Sequence, residues 1–288
     1  MSQTPRHRRK GWRLLAVLTA LLAALGAYLW WENRALQVCA FDASFSALPA
    51  GFDGCRVAVL SDLHGAEFGE GNGALFSAVA AQSPDYIFYL GDLEDRFRGH
   101  QAGYAESVAA GLSAIAPTYY VTGNHEWAIG GVRELKTALG AYGVTVLSNE
   151  FVTLERNGDS VILAGIDDPN GYADQKTPEQ LFAEMDAAAP DSFRLLLAHR
   201  NNRFPTQYSL LGADLVLSGH GHGGLWRLPF TDGLIGNDLK LFPSYMAGFY
   251  EENGSALFVT RGLGNSGYSF RINNRPQIAL LTLHTKQG

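Results

Sequence analysis

Five times between residues 56 and 224, a short apolar run stops at a residue that can hold a cation. RVAVLS leads to Asp62 and His64, DYIFYL to Gly91 and Asp92, and TYYV to Asn124 and His125. FRLLLA runs into His199, and ADLVLS runs through Gly219 into His220 and His222. Short runs rich in Val, Ile, Leu, Phe and Tyr read as strands. Amphipathic stretches among them predict helices over 73–82, 104–115, 132–142 and 178–188. Such alternation restricts the chain to a layered α/β architecture. Strands 151–155 and 160–166 have no helix between them, so the sheet is expected to be mixed rather than purely parallel. Further strands are expected within 36–48 and at 256–260 and 277–284. No linker-like composition divides the chain after residue 36.

In open α/β sheets, ligands gather beyond the carboxyl ends of the strands. The five stretches are therefore expected to converge on one edge of one sheet. The chain has eight histidines, and His64, His125, His199, His220 and His222 all follow apolar runs. One histidine at a strand end is ordinarily a hydrogen-bonded structural residue. Five of them beside Asp62, Asp92 and Asn124 are not explained that way. Imidazole, carboxylate and amide donors without a thiolate suit Mn, Fe or Zn. Asp62, His64, Asp92, Asn124, His199, His220 and His222 are more donors than one tetrahedral ion needs. They match two divalent metal ions sharing a carboxylate. Such a pair, roughly 3.5–4 Å apart, can activate water and stabilise the leaving oxygen of a phosphoester. Alternate residues of an extended strand point the same way. His220 and His222 would then crowd one ion, unless the glycines around them take φ > 0 and turn the rings apart.

Residues 14–31 form a run without a charge. At ~1.5 Å per residue it spans about 27 Å, close to the hydrocarbon thickness of a bilayer. Arg6, Arg8, Arg9, Lys10 and Arg13 precede it, and Tyr28, Trp30 and Trp31 close it. The expectation is a basic cytoplasmic arm (1–13), a single-pass transmembrane anchor (14–31) in the cell membrane, and an extracytoplasmic domain (32–288). Small residues at 24–26 keep a cleaved and exported form as the alternative. Removing the arm's five cations leaves 17 basic residues against 28 acidic ones, a net charge of −11. So acidic a domain is a poor general binder of phosphate backbones, and no nucleic-acid partner is expected. Cys39 and Cys55 exclude a zinc ribbon or disulfide scaffold. They are expected to be separate thiols, with one disulfide as the alternative.

SDLHG (61–65), GDLED (91–95), GNHE (123–126), AHR (198–200) and GHGHGG (219–224) together resemble, in order and spacing, the blocks of calcineurin-like metallophosphoesterases. The tail LFVTRGLGNSGYSFRINNRPQIALLTL resembles their membrane-associated bacterial branch, the YkuE type. The resemblance implies a two-sheet β-sandwich flanked by helices (αββα), here after one N-terminal transmembrane helix. It implies that Asp62, His64 and His222 hold one metal, that Asn124, His199 and His220 hold the other, and that Asp92 bridges both. His125 would be catalytic without ligating, contacting the phosphate or protonating the leaving oxygen. Gly221 stands where threonine is usual. Arg200 is expected to face either the substrate or the surface. Glu94, Asp95 and Glu126 are expected to support the ligands or be solvated rather than ligate.

The function expected is a membrane-anchored dimetal phosphoesterase that hydrolyses a phosphodiester or phosphomonoester by metal-activated water attack. An envelope lipid or a nucleotide-linked diester is the substrate class considered. The apolar stretches 201–204 and 223–250 would receive an acyl chain or lipid headgroup, or merely cap the core. The alternative is a non-catalytic metal-binding envelope module. No G-x-S-x-G occurs, which sets serine-hydrolase chemistry aside.

Overall fold

The computed structural model describes residues 6–171, 175–236 and 239–286. Residues 1–5 of the basic arm, 237–238 of the apolar stretch and 287–288 of the domain lie outside the described residues.

The described residues begin with helix α1 (Arg6–Glu32), which runs unbroken from the arm through the apolar stretch. One sheet holds β1 (Gln37–Phe45), β2 (Cys55–Leu60), β3 (Tyr86–Tyr89), β4 (Thr118–Tyr120), β5 (Val144–Val146) and β12 (Gln277–Thr285). Their order across the sheet is β1-β12-β2-β3-β4-β5. The other holds β6 (Glu150–Arg156), β7 (Asp159–Ile166), β8 (Arg194–Arg200), β9 (Leu215–Gly219), β10 (Gly248–Glu252) and β11 (Ser255–Val259). Their order is β10-β11-β9-β8-β7-β6. Both sheets are mixed: β2 to β5 are parallel with β12 antiparallel to β2, and β6 and β10 are antiparallel edges of a parallel centre.

Period-two patterning explains the layers. Val57 and Val59 of β2 meet Leu195, Leu197, Leu215 and Leu217 of β8 and β9 in a core between the sheets. Ala58 and Leu60, on the other face, pack under α2 (Gly73–Ala80), α3 (Tyr104–Ser113) and α5 (Val132–Ala141). Leu196 and Ala198 pack under α6 (Pro178–Ala188), which buries Leu181, Phe182 and Met185. Strands covered on both faces read as continuous apolar runs for this reason. Each fully buried Val, Leu or Phe contributes roughly 1.5–3 kcal/mol. The start of α6 is fixed locally: Thr177 Oγ1 accepts from Gln180 N, Gln180 Oε1 accepts from Thr177 N, and Pro178 takes the first helical position.

The strand tips do not belong to one sheet, as expected from alternation alone. β2, β3 and β4 supply three of them and β8 and β9 of the facing sheet supply two. The β6–β7 hairpin starts the second sheet instead of extending the first. The two cysteines are free. Cys39 on β1 is level with Ala279 of β12, whereas Cys55 on β2 is level with Leu283, so β12 lies between them. That separation is beyond disulfide reach.

Candidate metal centre

All seven expected donors, and His125, come together where the two sheets' carboxyl ends meet. The β2 and β3 tips stay paired past the strands: Asp62 N donates to Gly91 O, His64 N to Asp92 O and Gly65 N to Leu93 O. Asp62, His64, Asp92, His220 and His222 all have positive φ, between 50° and 65°. Asp and His tolerate this region better than most residues, yet it costs each about 1 kcal/mol. Five such residues in one cluster mark a backbone bent to aim side chains.

Of the glycines flanking His220 and His222, Gly223 and Gly224 take positive φ as expected, and the rest act differently. The histidines themselves take the left-handed conformation, while Gly219 and Gly221 do not. Gly219 is needed for close approach: a Cβ there would lie 2.0 Å from Ser61 Oγ and 2.7 Å from Asp62 Oδ2.

Two donor groups result. Asp62, His64 and His222 offer atoms within 4.8 Å of one another, and so do Asp92, His199 and His220. His64 Nε2 is 3.1 Å from His222 Nε2 and 3.7 Å from Asp92 Oδ2. His199 Nε2 is 3.2 Å from Asp92 Oδ2, from Asn124 Oδ1 and from His220 Nδ1. Asp92 thus stands between the groups, and His220 and His222 point into different ones. Asp95 forms a third group with His64 and His125.

Burial governs the electrostatics. It holds His64 at about 4, His220 at about 3 and His222 well below the ordinary imidazole range, so these rings are neutral, the form that ligates. It pushes Asp62 up to about 6. Burial also acts against charge on Asp92 and His199, but their mutual attraction wins: Asp92 is held well below the usual carboxylate range and His199 rises to about 10. His199 Nδ1 donates to Leu90 O at 2.6 Å, which aims Nε2 at Asp92. Such orientation of an imidazole by a carbonyl is typical of metal-ligating histidines.

His125 lies at the start of α4 (Asn124–Ile129) and lines the cavity. Its N donates to Asp92 Oδ1, and its Nδ1 accepts from Arg96 N at 3.0 Å. Nδ1 also lies 3.2 Å from Asp95 Oδ1; the Arg96 amide assigns the ring proton to Nε2, 4.0 Å from Asp92 Oδ2. Glu126 accepts from the amides of Asp92, Leu93, Glu94 and Gly123, fixing the β3 and β4 loops together. Glu94 receives Gln101 N and His100, and Asp95 receives Phe97 N and Gly267 N, so each pins a loop.

Arg200, partly exposed, is held by an ion pair. It is bidentate to Asp168, with Nε 2.7 Å from Oδ2 and NH2 3.1 Å from Oδ1. Sequence reasoning also missed Arg271, fully buried in the loop before β12. It donates to Arg261 O and Gly264 O at 2.7 Å and reaches His222 Nδ1 at 3.3 Å. Burial lowers it to about 9, with Asp62 as the counter-charge. A basic residue in an irregular loop gave no periodic signal.

Comparison with known proteins follows the same residues. The calcineurin-like phosphoesterase family matches residues 55–224. The uncharacterized metallophosphoesterase YkuE of Bacillus subtilis is 27% identical over 280 residues, covering 93% of each chain. The phosphodiesterase YaeI of Escherichia coli is 30% identical over 240 residues, 79% of this chain and 82% of its own. A zebrafish (Danio rerio) transmembrane protein with a metallophosphoesterase domain is 28% identical over 285 residues, 94% of this chain and 62% of its own. The matched family segment takes in every donor described above and more than half of the sequence, and the chain belongs to the calcineurin-like phosphoesterase family.

Proposed function

We propose that the protein is a membrane-anchored dimetal phosphoesterase, acting on a phosphodiester or phosphomonoester. The observation that carries this reading is the pair of donor groups meeting at Asp92. The residues fit two divalent ions: every donor is an imidazole, carboxylate or amide oxygen, three of the imidazoles are held neutral, and no thiolate intrudes. Asp62, His64 and His222 would hold one ion and Asn124, His199 and His220 the other, with Asp92 shared. Bound there, such ions supply Lewis-acid activation of water and neutralise phosphoryl charge.

The chain's own residues do the rest. His125 presents Nε2–H to the cavity, where it donates to a phosphoryl oxygen or the leaving oxygen. Arg96 and Lys240 line the same cavity and favour an anionic group. Glu126 and Arg271 hold the β3 loop and the His222 loop in place. Helix α1 contains an apolar segment, Gly11–Glu32, exposed along its length until Glu32 at its end is buried, which supports anchoring with the arm in the cytoplasm and the domain outside. An envelope lipid and a nucleotide-linked diester are the substrate classes that fit this placement.

The test is hydrolysis of bis-p-nitrophenyl phosphate and p-nitrophenyl phosphate by the detergent-solubilised full chain supplied with Mn²⁺. Turnover should fall roughly 10²–10³-fold in Asp92→Asn. Stoichiometric metal with no turnover of any phosphoester above that variant would instead leave a non-catalytic binding module.

A further inference from the structure

We infer that the mouth of the metal centre is seated on the bilayer surface, and that its substrate is a phosphoester carried by a membrane lipid. This rests on the anchored-phosphoesterase reading and narrows it to one substrate class.

The cavity over the donors holds about 510 Å³, with Phe97, Leu225, Pro243, Ser266 and Ser269 among its walls. The same loops turn large apolar side chains outward. Phe230 and Tyr268 are fully exposed, and Leu241 and Phe242 are about two-thirds exposed. Leu228 and Phe270 are 46% and 42% exposed. Single exposed apolar residues are ordinary. Six on the loops that rim one cavity form a patch of the kind that marks a docking surface.

Its continuity with α1 identifies what it docks on. Tyr28 of the apolar helix donates to Asn273 Oδ1 at 3.1 Å, and Asn273 Nδ2 donates to Arg227 O at 3.4 Å, one residue before Leu228. Trp226 donates to Phe270 O, and the two rings lie 5.3 Å apart. Arg34 stands over the Trp30 ring and Arg275 over the Trp31 ring, each at 4.9 Å. Trp and Tyr with flanking arginine mark the headgroup level of a membrane helix. A helix that puts Tyr28–Trp31 at that level puts the bonded rim there too. A phosphate can then reach Asp92 and His125 while its hydrocarbon stays in the bilayer, passing over an apolar lip instead of crossing water.

The experiment uses the full chain, metal-loaded, in nanodiscs of phosphatidylcholine and phosphatidylglycerol. Two esters with the same reacting centre are compared: methyl 4-nitrophenyl phosphate, free in solution, and hexadecyl 4-nitrophenyl phosphate, embedded in the bilayer. The hexadecyl ester should be preferred by roughly tenfold or more in kcat/KM. The Phe230→Ser/Tyr268→Ser double variant should lose about that factor on the hexadecyl ester alone. Neither residue lines the cavity, so methyl-ester turnover reports the intact centre.

A second arm needs no turnover. Measured as the emission added over the chain's five native tryptophans, a tryptophan at Phe230→Trp should be quenched by brominated lipid. One at Tyr142→Trp, where α5 ends away from the strand tips, should not. Equal turnover of both esters, or absence of quenching at position 230, overturns the bilayer seat and leaves the phosphoesterase reading intact. Quenching without turnover of either ester fails the phosphoesterase reading instead, and the lipid substrate with it.

Discussion

Asn33, the first residue past the apolar helix, grips Arg271 by both sides of its backbone. Its Oδ1 accepts from Arg271 N at 2.7 Å, and its Nδ2 donates to Arg271 O at 3.0 Å. One residue earlier, buried Glu32 accepts from Asn274 N, and Asn274 Nδ2 donates to His222 O at 2.7 Å. The end of the apolar helix is thus two hydrogen-bonded steps from a candidate ligand.

Arg271→Met keeps the side-chain stem and removes the guanidinium. Gly264 O and Arg261 O would then lose a buried partner, at about 1–3 kcal/mol each. The thermal midpoint should fall. Affinity for the cation at Asp62, His64 and His222 should weaken roughly 10–100-fold, as for other residues that orient a ligand. Equilibrium dialysis with elemental analysis measures this, and equal weakening at both groups would refute the assignment. Asn33→Ala should act in the same direction more mildly.

His220→Ala and His222→Ala should each deplete one ion, because their rings enter different donor groups. Loading with two distinguishable cations and following each by spectroscopy separates the sites. Identical stoichiometry and spectra from the two variants would sink the division.

Cation uptake by the metal-free protein should release a proton at neutral pH. The Asp92 charge keeps His199 protonated up to about 10, and a cation must displace the Nε2 proton. Apparent affinity should therefore rise with pH. Calorimetry in two buffers of different ionisation heat gives the count, and heats independent of buffer would contradict it.

Cys39 should alkylate in the folded protein, while Cys55 should react only on unfolding. Cys39 is partly exposed, whereas burial raises the Cys55 thiol to about 12, leaving little thiolate at moderately alkaline pH. Peptide mapping after a timed iodoacetamide pulse reads both sites. A Cys39–Cys55 crosslinked peptide would contradict the strand order.

The centre was legible because strands buried on both faces are continuous apolar runs, so the polar residue ending each one stands out. Asp62, Asp92 and His199 could be placed from that alone. Which sheet each strand joins is not written in its own period, and the five tips came from two sheets. β5 has three residues and β10 alternates around Glu251 and Glu252, so neither offered a run to recognise. Arg271 and Asp168 lie in irregular loops and Arg200 ends β8, and the partners of all three are set by tertiary contact.

The pairing of β1 with β12 sets a timetable for assembly. Gln37, directly after the helix, has its register partner at Gln277. The first strand made must wait for β12, the last of the described strands, and β2 reaches β1 only through β12. The first sheet therefore closes only after Gln277–Thr285 has been translated. Until then β1 is an unpaired edge, open to capture by another chain or by a chaperone.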